Sequence, residues 1–262
     1  MLLAIDVGNT QTVLGRFEGE RLDGSWRIKT DARATADEMV LVYRGLLAGR
    51  PDVSGIALCS TVPAVLREMR DMLRRYYPDL PTVIVEPGTR TGVPVLTDSP
   101  KEVGSDRIVN TLAAHEMFGG PAIVVDFGTS TNLDVVSARG EFLGGALAPG
   151  IEISLQALAS RAAQLLKVEL VRPRSVIGKN TVEALQSGAL YGFAGQVDGL
   201  VRRITAELGG VNAVIATGGL AAIVVDESET ITHHEPDLTL HGLRLVYTRN
   251  LPPAQGPPHS PL

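Results

Sequence analysis

Two short segments of this 262-residue chain carry residue types suited to holding phosphate. Asp6-Val7-Gly8-Asn9-Thr10-Gln11-Thr12-Val13 follows the apolar run from Leu2 to Ile5, and Asp126-Phe127-Gly128-Thr129-Ser130 follows the apolar run from Ala122 to Val125. The offset from Asp6 to Asp126 is 120 residues. In each, a strand ends in Asp-x-Gly with small hydroxyl or amide residues, and a second run then alternates apolar with polar, as a β-hairpin does. Such a turn presents backbone N–H groups and hydroxyls to phosphate oxygens. Its glycine lets a bulky anion approach, and its carboxylate can hold hydrated Mg²⁺. Any hairpin uses Asp, Gly and Asn, so one copy carries little information. A second copy that keeps the Asp, the Gly and a Thr is not explained by turn formation, and two such turns would clamp a polyphosphate from both sides. The chain has no Gly-x-x-x-x-Gly-Lys-[Ser/Thr] and no Gly-x-Gly-x-x-Gly after its first strand, so any nucleotide must be held by this duplicated route.

The elements that must position these turns alternate between strand and helix. Thr35-Ala36-Asp37-Glu38 has the form of a capping box and opens a helix carrying Met39, Val42, Tyr43 and Leu46. Gly55 to Cys59 reads as a buried strand, the run after Pro63 as a helix, Thr82 to Val85 as a short strand, and Val103 to Phe118 as a helix. Gly119-Gly120-Pro121 ends that helix and marks the boundary between halves 1–118 and 119–250. In the second half, Gly144 to Gly150 reads as a glycine-rich turn leading to a helix from about Ile151 to Leu166. A long helical stretch from Thr181 to Leu208 follows, with glycines at 188, 192, 195 and 199 suited to close helix packing, and then a strand from Val211 to Thr217. Residues 251–262 are proline-rich and read as a disordered tail.

Composition narrows the class. At 44% hydrophobic and 20% charged residues the chain is an ordinary globular one, and a formal charge of -5 gives no global field to attract nucleic acid or acidic lipid. Aromatic residues, at 4%, are too few for base-stacking platforms or membrane belts. Cys59 is the only cysteine, so no internal disulfide forms, and it reads as a packed core thiol of a protein made and used in the cytoplasm. His233-His234-Glu235 is a weak candidate for zinc, since adjacent residues rarely converge on one ion.

Asp6-x-Gly8-Asn9-Thr10-x-Thr12, Gly104-Ser105-Asp106-Arg107, Asp126-Phe127-Gly128-Thr129 and Thr217-Gly218-Gly219, in this order, resemble the type III pantothenate kinases. The resemblance runs from Met1 to about Asn250. It implies an α/β fold of two ribonuclease-H-like halves of the acetate and sugar kinase, heat-shock ATPase and actin superfamily, with the active site in the cleft between them. It also implies ATP-dependent phosphorylation of pantothenate, the first step of coenzyme A synthesis. By motif, Asp6 to Val13 becomes the first ATP-binding turn, with Asp6 holding Mg²⁺ through water, and Thr129 a nucleotide contact in the second. Asp126 matches a position for a monovalent cation, K⁺ or NH₄⁺. Gly104, Ser105, Asp106 and Arg107 match the pantothenate-binding motif, with Ser105 where Ala is usual and Asp106 as the base. Thr181 matches a further substrate contact, and the same residue reads on its own as a helix N-cap. Thr217-Gly218-Gly219 would let adenine or ribose lie against backbone. A homodimer, with its interface along the stretch after Thr181, is also implied; nucleic acid and membrane are not. Two other readings stand beside this one: a non-catalytic regulator of the same fold, and another small-molecule kinase of the superfamily.

Overall fold

The computed structural model describes residues 1–161 and 168–251. Ten strands form two five-stranded sheets among these residues. The first contains β1 (Leu2–Val7), β2 (Gln11–Glu18), β3 (Arg21–Lys29), β4 (Gly55–Ser60) and β5 (Thr82–Ile84). The second contains β6 (Ala122–Phe127), β7 (Ser130–Val136), β8 (Phe142–Pro149), β9 (Ala213–Thr217) and β10 (His233–His234). Their strand orders are the same, β3-β2-β1-β4-β5 and β8-β7-β6-β9-β10. In both, the first three strands pair antiparallel and the last two add in parallel. The duplication visible in the two Asp-x-Gly segments therefore extends to whole sheets.

The helices are α1 (Ala36–Leu47), α2 (Pro63–Tyr76), α3 (Ser105–Phe118), α4 (Ile151–Arg161), α5 (Thr181–Leu208), α6 (Ala221–Val224) and α7 (Leu238–Asn250). The capping box at α1 forms as its sequence predicts: Glu38 N–H donates to Thr35 Oγ1, and Thr35 N–H donates to Glu38 Oε2. In the first sheet, Leu3, Ile5, Val7 and Leu58 pack on Met39, Val40 and Tyr43 of α1 and on Val65, Met69 and Met72 of α2. In the second, Ile123, Val125 and Phe127 pack on Leu190, Ala194, Val197 and Val201 of α5. Each fully buried side chain of this kind contributes about 1.5–3 kcal/mol, which fixes the central strands that end in Asp6 and Asp126.

Several expectations need correction. Gly144 to Gly150 is not a turn, because all but Gly150 lies in β8. Gly145 serves close pairing, since a Cβ there would meet the Leu133 carbonyl of β7 at 1.8 Å, whereas Gly144 supplies a backbone at φ +110. Residues Pro100–Glu102 form a short 3₁₀ turn and Val103 is extended, so α3 starts at Ser105. The helix after Ile151 is described as far as Arg161; the rest of that expectation, and the tail from Pro252, fall outside the described residues. A Cβ on Gly188, Gly192, Gly195 or Gly199 of α5 would meet nothing within 4 Å, so no described helix of this chain packs closely on them.

The sheets separate on either side of residue 119, but the compact units do not follow a single cut. One unit comprises Met1–Gly92, Gly104–Val109 and the chain from Thr239, and the other comprises Val93–Val103 and Asn110–Leu238. Packing is the reason. Ala113 and Ala114 of α3 and Leu238, the first residue of α7, are buried with Ala122, Val124 and Ala213, whereas the rest of α7, from Thr239, belongs with the first sheet. Leu240 fills the space left by Gly15, and the ring of Tyr247 fills that left by Gly55.

Candidate active site

In the first unit, β1 is flanked by β2 and β4, and the register places Asp6 level with Val13 on one side and Cys59 on the other. The Cys59 thiol donates to Asp6 Oδ1 at 3.2 Å. Burial raises the proton affinity of Asp6 to a pKa of about 7. The charge of Asp106 adds to that rise, while the Cys59 hydrogen bond and the Arg27 charge oppose it. Burial, then the charges of Asp6 and Asp106, push the Cys59 thiol well above its ordinary range. Cys59 is thus an uncharged donor beside a carboxylate. It is buried as the sequence suggests, but its contact with Asp6 is visible only once the parallel pairing of β1 and β4 is known.

The motif Gly104-Ser105-Asp106-Arg107 forms the first turn of α3. Ser105 Oγ donates to the Ser60 carbonyl at the end of β4 (3.4 Å), and the Thr61 N–H donates to the Val7 carbonyl at the end of β1 (3.1 Å). The helix start and both strand ends are thereby tied together. Asp106 Oδ1 accepts from the Arg107 N–H at 2.9 Å. Burial raises the Asp106 pKa, opposed by that hydrogen bond and by the Arg107 charge. Glycine at 104 leaves Asp106 in place, because a Cβ there would lie 2.5 Å from Asp106 Oδ1 and displace the carboxylate.

The first turn exposes Asn9, Thr10 and Gln11, whereas Val7 and Thr12 are buried and Asp6, Gly8 and Val13 are half-buried. Gly8 N–H donates to the Gln11 carbonyl at 3.0 Å. The turn is closed from the side by Thr30, immediately after β3. Thr30 N–H donates to the Thr10 carbonyl (3.0 Å), its hydroxyl donates to the Gly8 carbonyl (2.8 Å), and the Thr12 and Thr30 hydroxyls lie 2.9 Å apart. Neither Gly8 nor Gly128 adopts a positive φ. Their missing side chains therefore leave the turn face open rather than permitting a left-handed backbone.

In the second unit the half-buried Asp126 lies level with Asn132 and Thr217. Gly218, at φ +93, lies so close that a Cβ would be 2.4 Å from Asp126 Oδ1. Thr129 is exposed, and its carbonyl accepts from the Gly150 N–H at 3.1 Å. Thr181 is also exposed, in the first turn of α5, but it is not the N-cap. That position is Asn180, whose side chain accepts from the Glu183 N–H at 2.9 Å. His233 bonds Thr232 through Nδ1 (2.8 Å) and stacks at a tilt on Phe118.

The structure therefore brings Asp6, the exposed part of the first turn and Gly104–Arg107 together in one unit, and places Asp126, Thr129 and Thr181 in the other. Thr30, Cys59 and Gly150 are supporting residues that motif reading does not reach.

A family profile described as type III pantothenate kinase matches residues 2–203. Proteins named type III pantothenate kinase are similar over most of the chain. That of Frankia alni is 72% identical over 251 residues, covering 96% of this chain and all of the relative. That of Streptomyces coelicolor is 61% identical, covering 96% and 99%. Among solved structures, a Campylobacter jejuni protein assigned to the Baf family of transcriptional activators aligns with a TM-score of 0.59 at 18% identity, covering 95% of this chain and 98% of that one. A ROK family glucokinase from Streptomyces griseus aligns with a TM-score of 0.52 at 13% identity, covering 95% and 99%. At such identities the structural likeness bears on the fold alone. The profile match and the full-length relatives decide the family: the chain belongs to the type III pantothenate kinases.

Proposed function

We propose that this chain transfers the γ-phosphoryl group of ATP to the primary hydroxyl of pantothenate, giving 4′-phosphopantothenate and ADP at the start of coenzyme A synthesis. The observation that carries this reading is the pair of carboxylates, Asp6 and Asp106, held in one unit beside the exposed turn 8–11 in a member of this family.

Phosphoryl transfer needs in-line positioning and charge stabilisation more than covalent chemistry. Asp106 takes the hydroxyl proton as the pantothenate oxygen bonds to the γ-phosphorus and the bond from that phosphorus to ADP breaks. A carboxylate whose proton affinity is raised by burial suits that role, which is worth about 10²- to 10⁴-fold. Arg107 contributes a fixed cation and a fork of donors to substrate or phosphate, and Gly104 and Ser105 keep the start of α3 in place. The amides and side chains of Asn9, Thr10 and Gln11 face the ATP phosphates, with Thr129 as a nucleotide contact and Thr181 as a substrate contact in the second unit.

Asp6 suits a hard cation, because burial first and the Asp106 charge second raise its proton affinity, and a bound cation offsets both. Among the described residues no three His, Cys, Asp or Glu side chains cluster to hold a metal. Mg²⁺ commonly takes one or two carboxylates, water and substrate phosphates, so Asp6 through water is a sufficient anchor. When bound, Mg²⁺ supplies charge neutralisation on the β- and γ-phosphates. Asp126, beside Asn132 and Thr217, offers oxygen donors to a monovalent cation, K⁺ or NH₄⁺. A cytoplasmic homodimer with α5 at its interface completes the reading; no described helix is long and apolar enough to cross a membrane.

A coupled assay of ADP release tests the reading with pantothenate against acetate and hexoses, in the presence and absence of K⁺. Release that depends on pantothenate is expected. No release with any of these substrates favours the regulator, and release with acetate or a hexose favours another kinase of the superfamily.

A further inference from the structure

We infer that Thr30 is a positioning residue for the first phosphate turn, and that Thr12 acts through it rather than on phosphate; this rests on the ATP-binding reading above. The β2–β3 register pairs Gln11 with Lys29 and Thr12 with Ile28, which puts Thr30 opposite Thr10 and on the same side of the sheet as Thr12. A threonine hydroxyl has one proton to give. That of Thr30 goes to the Gly8 carbonyl, so the Thr12 hydroxyl must be the donor in the 2.9 Å contact between the two. The result is a directed chain, Thr12 O–H to Thr30 Oγ1 and Thr30 O–H to Gly8 C=O, with Thr30 N–H to Thr10 C=O beside it.

Both ends of the exposed turn are thus held by one residue. Gly8 and Thr10 have their carbonyls directed at Thr30, and Gly8 N–H is directed at the Gln11 carbonyl, so the residues between them have little freedom to rotate away from an anion. Thr12 is 3% exposed and its proton is committed within the protein, so it is poorly placed to donate to phosphate. Preorganisation of this kind lowers the ordering cost of binding, and it concerns ATP more than the second substrate.

Thr30→Val removes the hydroxyl and keeps the shape, whereas Thr30→Ser keeps the hydroxyl. Calorimetric binding of ATP and steady-state kinetics on the full chain should show Thr30→Val raising the Kd and KM for ATP about 5- to 30-fold, the equivalent of one to two hydrogen bonds. The KM for pantothenate should move less than about twofold, and Thr30→Ser should recover most of the loss. Hydrogen exchange of the amides from Gly8 to Thr12 should speed up in Thr30→Val, with α1 unchanged. Thr12→Val should cost no more than Thr30→Val, and the double variant no more than the larger single effect, because both break one chain.

A folded Thr30→Val with normal ATP binding overturns the inference, as does a loss shared equally by pantothenate or a Thr30→Ser that recovers nothing. A Thr12→Val loss well beyond that of Thr30→Val places Thr12 on the phosphate and overturns its assigned part. A native protein that binds no ATP would remove the underlying reading and this inference together. Normal native binding beside an unaffected Thr30→Val removes this inference alone.

Discussion

The two sheets share one strand order, yet their turns are braced by different means. The residue after β3 is Thr30 and the residue after β8 is Gly150, and both donate a backbone N–H to a turn carbonyl, Thr10 at 3.0 Å and Thr129 at 3.1 Å. In the first sheet a side chain adds to that bond, and the buried Thr12 hydroxyl is satisfied by Thr30. In the second, Gly150 has no side chain to offer. The backbone itself closes in instead, so that a Cβ on Gly150 would lie 2.3 Å from the Thr129 carbonyl and 2.6 Å from that of Gly128. Thr131, the counterpart of Thr12, is fully buried, and its hydroxyl has no hydrogen-bond partner among the described residues. One topology thus tolerates two solutions to the same closure, one polar and one steric. The carboxylates differ in parallel: Asp6 has Cys59 and the charge of Asp106 beside it, whereas Asp126 has the Gly218 backbone.

This difference is open to direct attack. The largest effect is expected at Asp106, the acid whose charge reaches Asp6 in the first unit. Asp106→Asn should reduce kcat by about 100-fold or more and leave ATP binding within a few-fold; near-native turnover would remove Asp106 as base. Next, Gly150→Ala should lower stability by about 1–3 kcal/mol through overpacking against backbone, while Gly8→Ala, whose Cβ meets only the Gln11 carbonyl at 3.1 Å, should cost less than about 1 kcal/mol. Urea unfolding of both decides it, and equal losses would erase the steric distinction. At the threonines the signs should oppose. Thr12→Val destabilises by about 1 kcal/mol by breaking a satisfied bond, whereas Thr131→Val stabilises by a similar amount by removing an orphaned hydroxyl. Two changes of the same sign would break the comparison.

The smallest effect concerns Asp6. Its pKa is raised from 3.8 to about 7, so across that window the folded chain holds a proton that the unfolded chain has released. For the metal-free protein this contribution is present at low pH and is lost as pH rises through about 7. The Cys59 bond favours ionised Asp6, so Cys59→Ala should move the midpoint upward by less than about one pH unit while Cys59→Ser holds it, as read from melting temperature against pH. Asp6→Asn should abolish this part of the pH dependence.

What could be read from the chain follows from where the causal residues lie. Asp6, Gly8, Asp126 and Gly128 are legible because each turn is contiguous, and Gly104–Arg107 because a helix start is local. The strand β3 is harder to read. Leu22, Trp26 and Ile28 alternate as a strand should, but Gly24 interrupts the pattern and the remaining positions are polar or charged. The glycines of β8 imitate a turn, since only the neighbouring strand shows that Gly145 is there for close pairing. Thr30, Cys59 and Gly150 act across strand registers, 22, 53 and 21 residues from the partners they hold (Gly8, Asp6 and Thr129), and no local pattern encodes a register.

The helix α7 carries a consequence for how the molecule comes into being. Leu240 and Tyr247 occupy the spaces left by Gly15 and Gly55, so of the two sheets the one made earlier is the one that waits for residues made after the other. The second sheet has every strand and its α5 cover in hand by residue 234, before α7 is translated. The order of synthesis and the order of completion are therefore reversed. A nascent chain stalled just after Leu238 would present a finished second sheet and an unsealed first one.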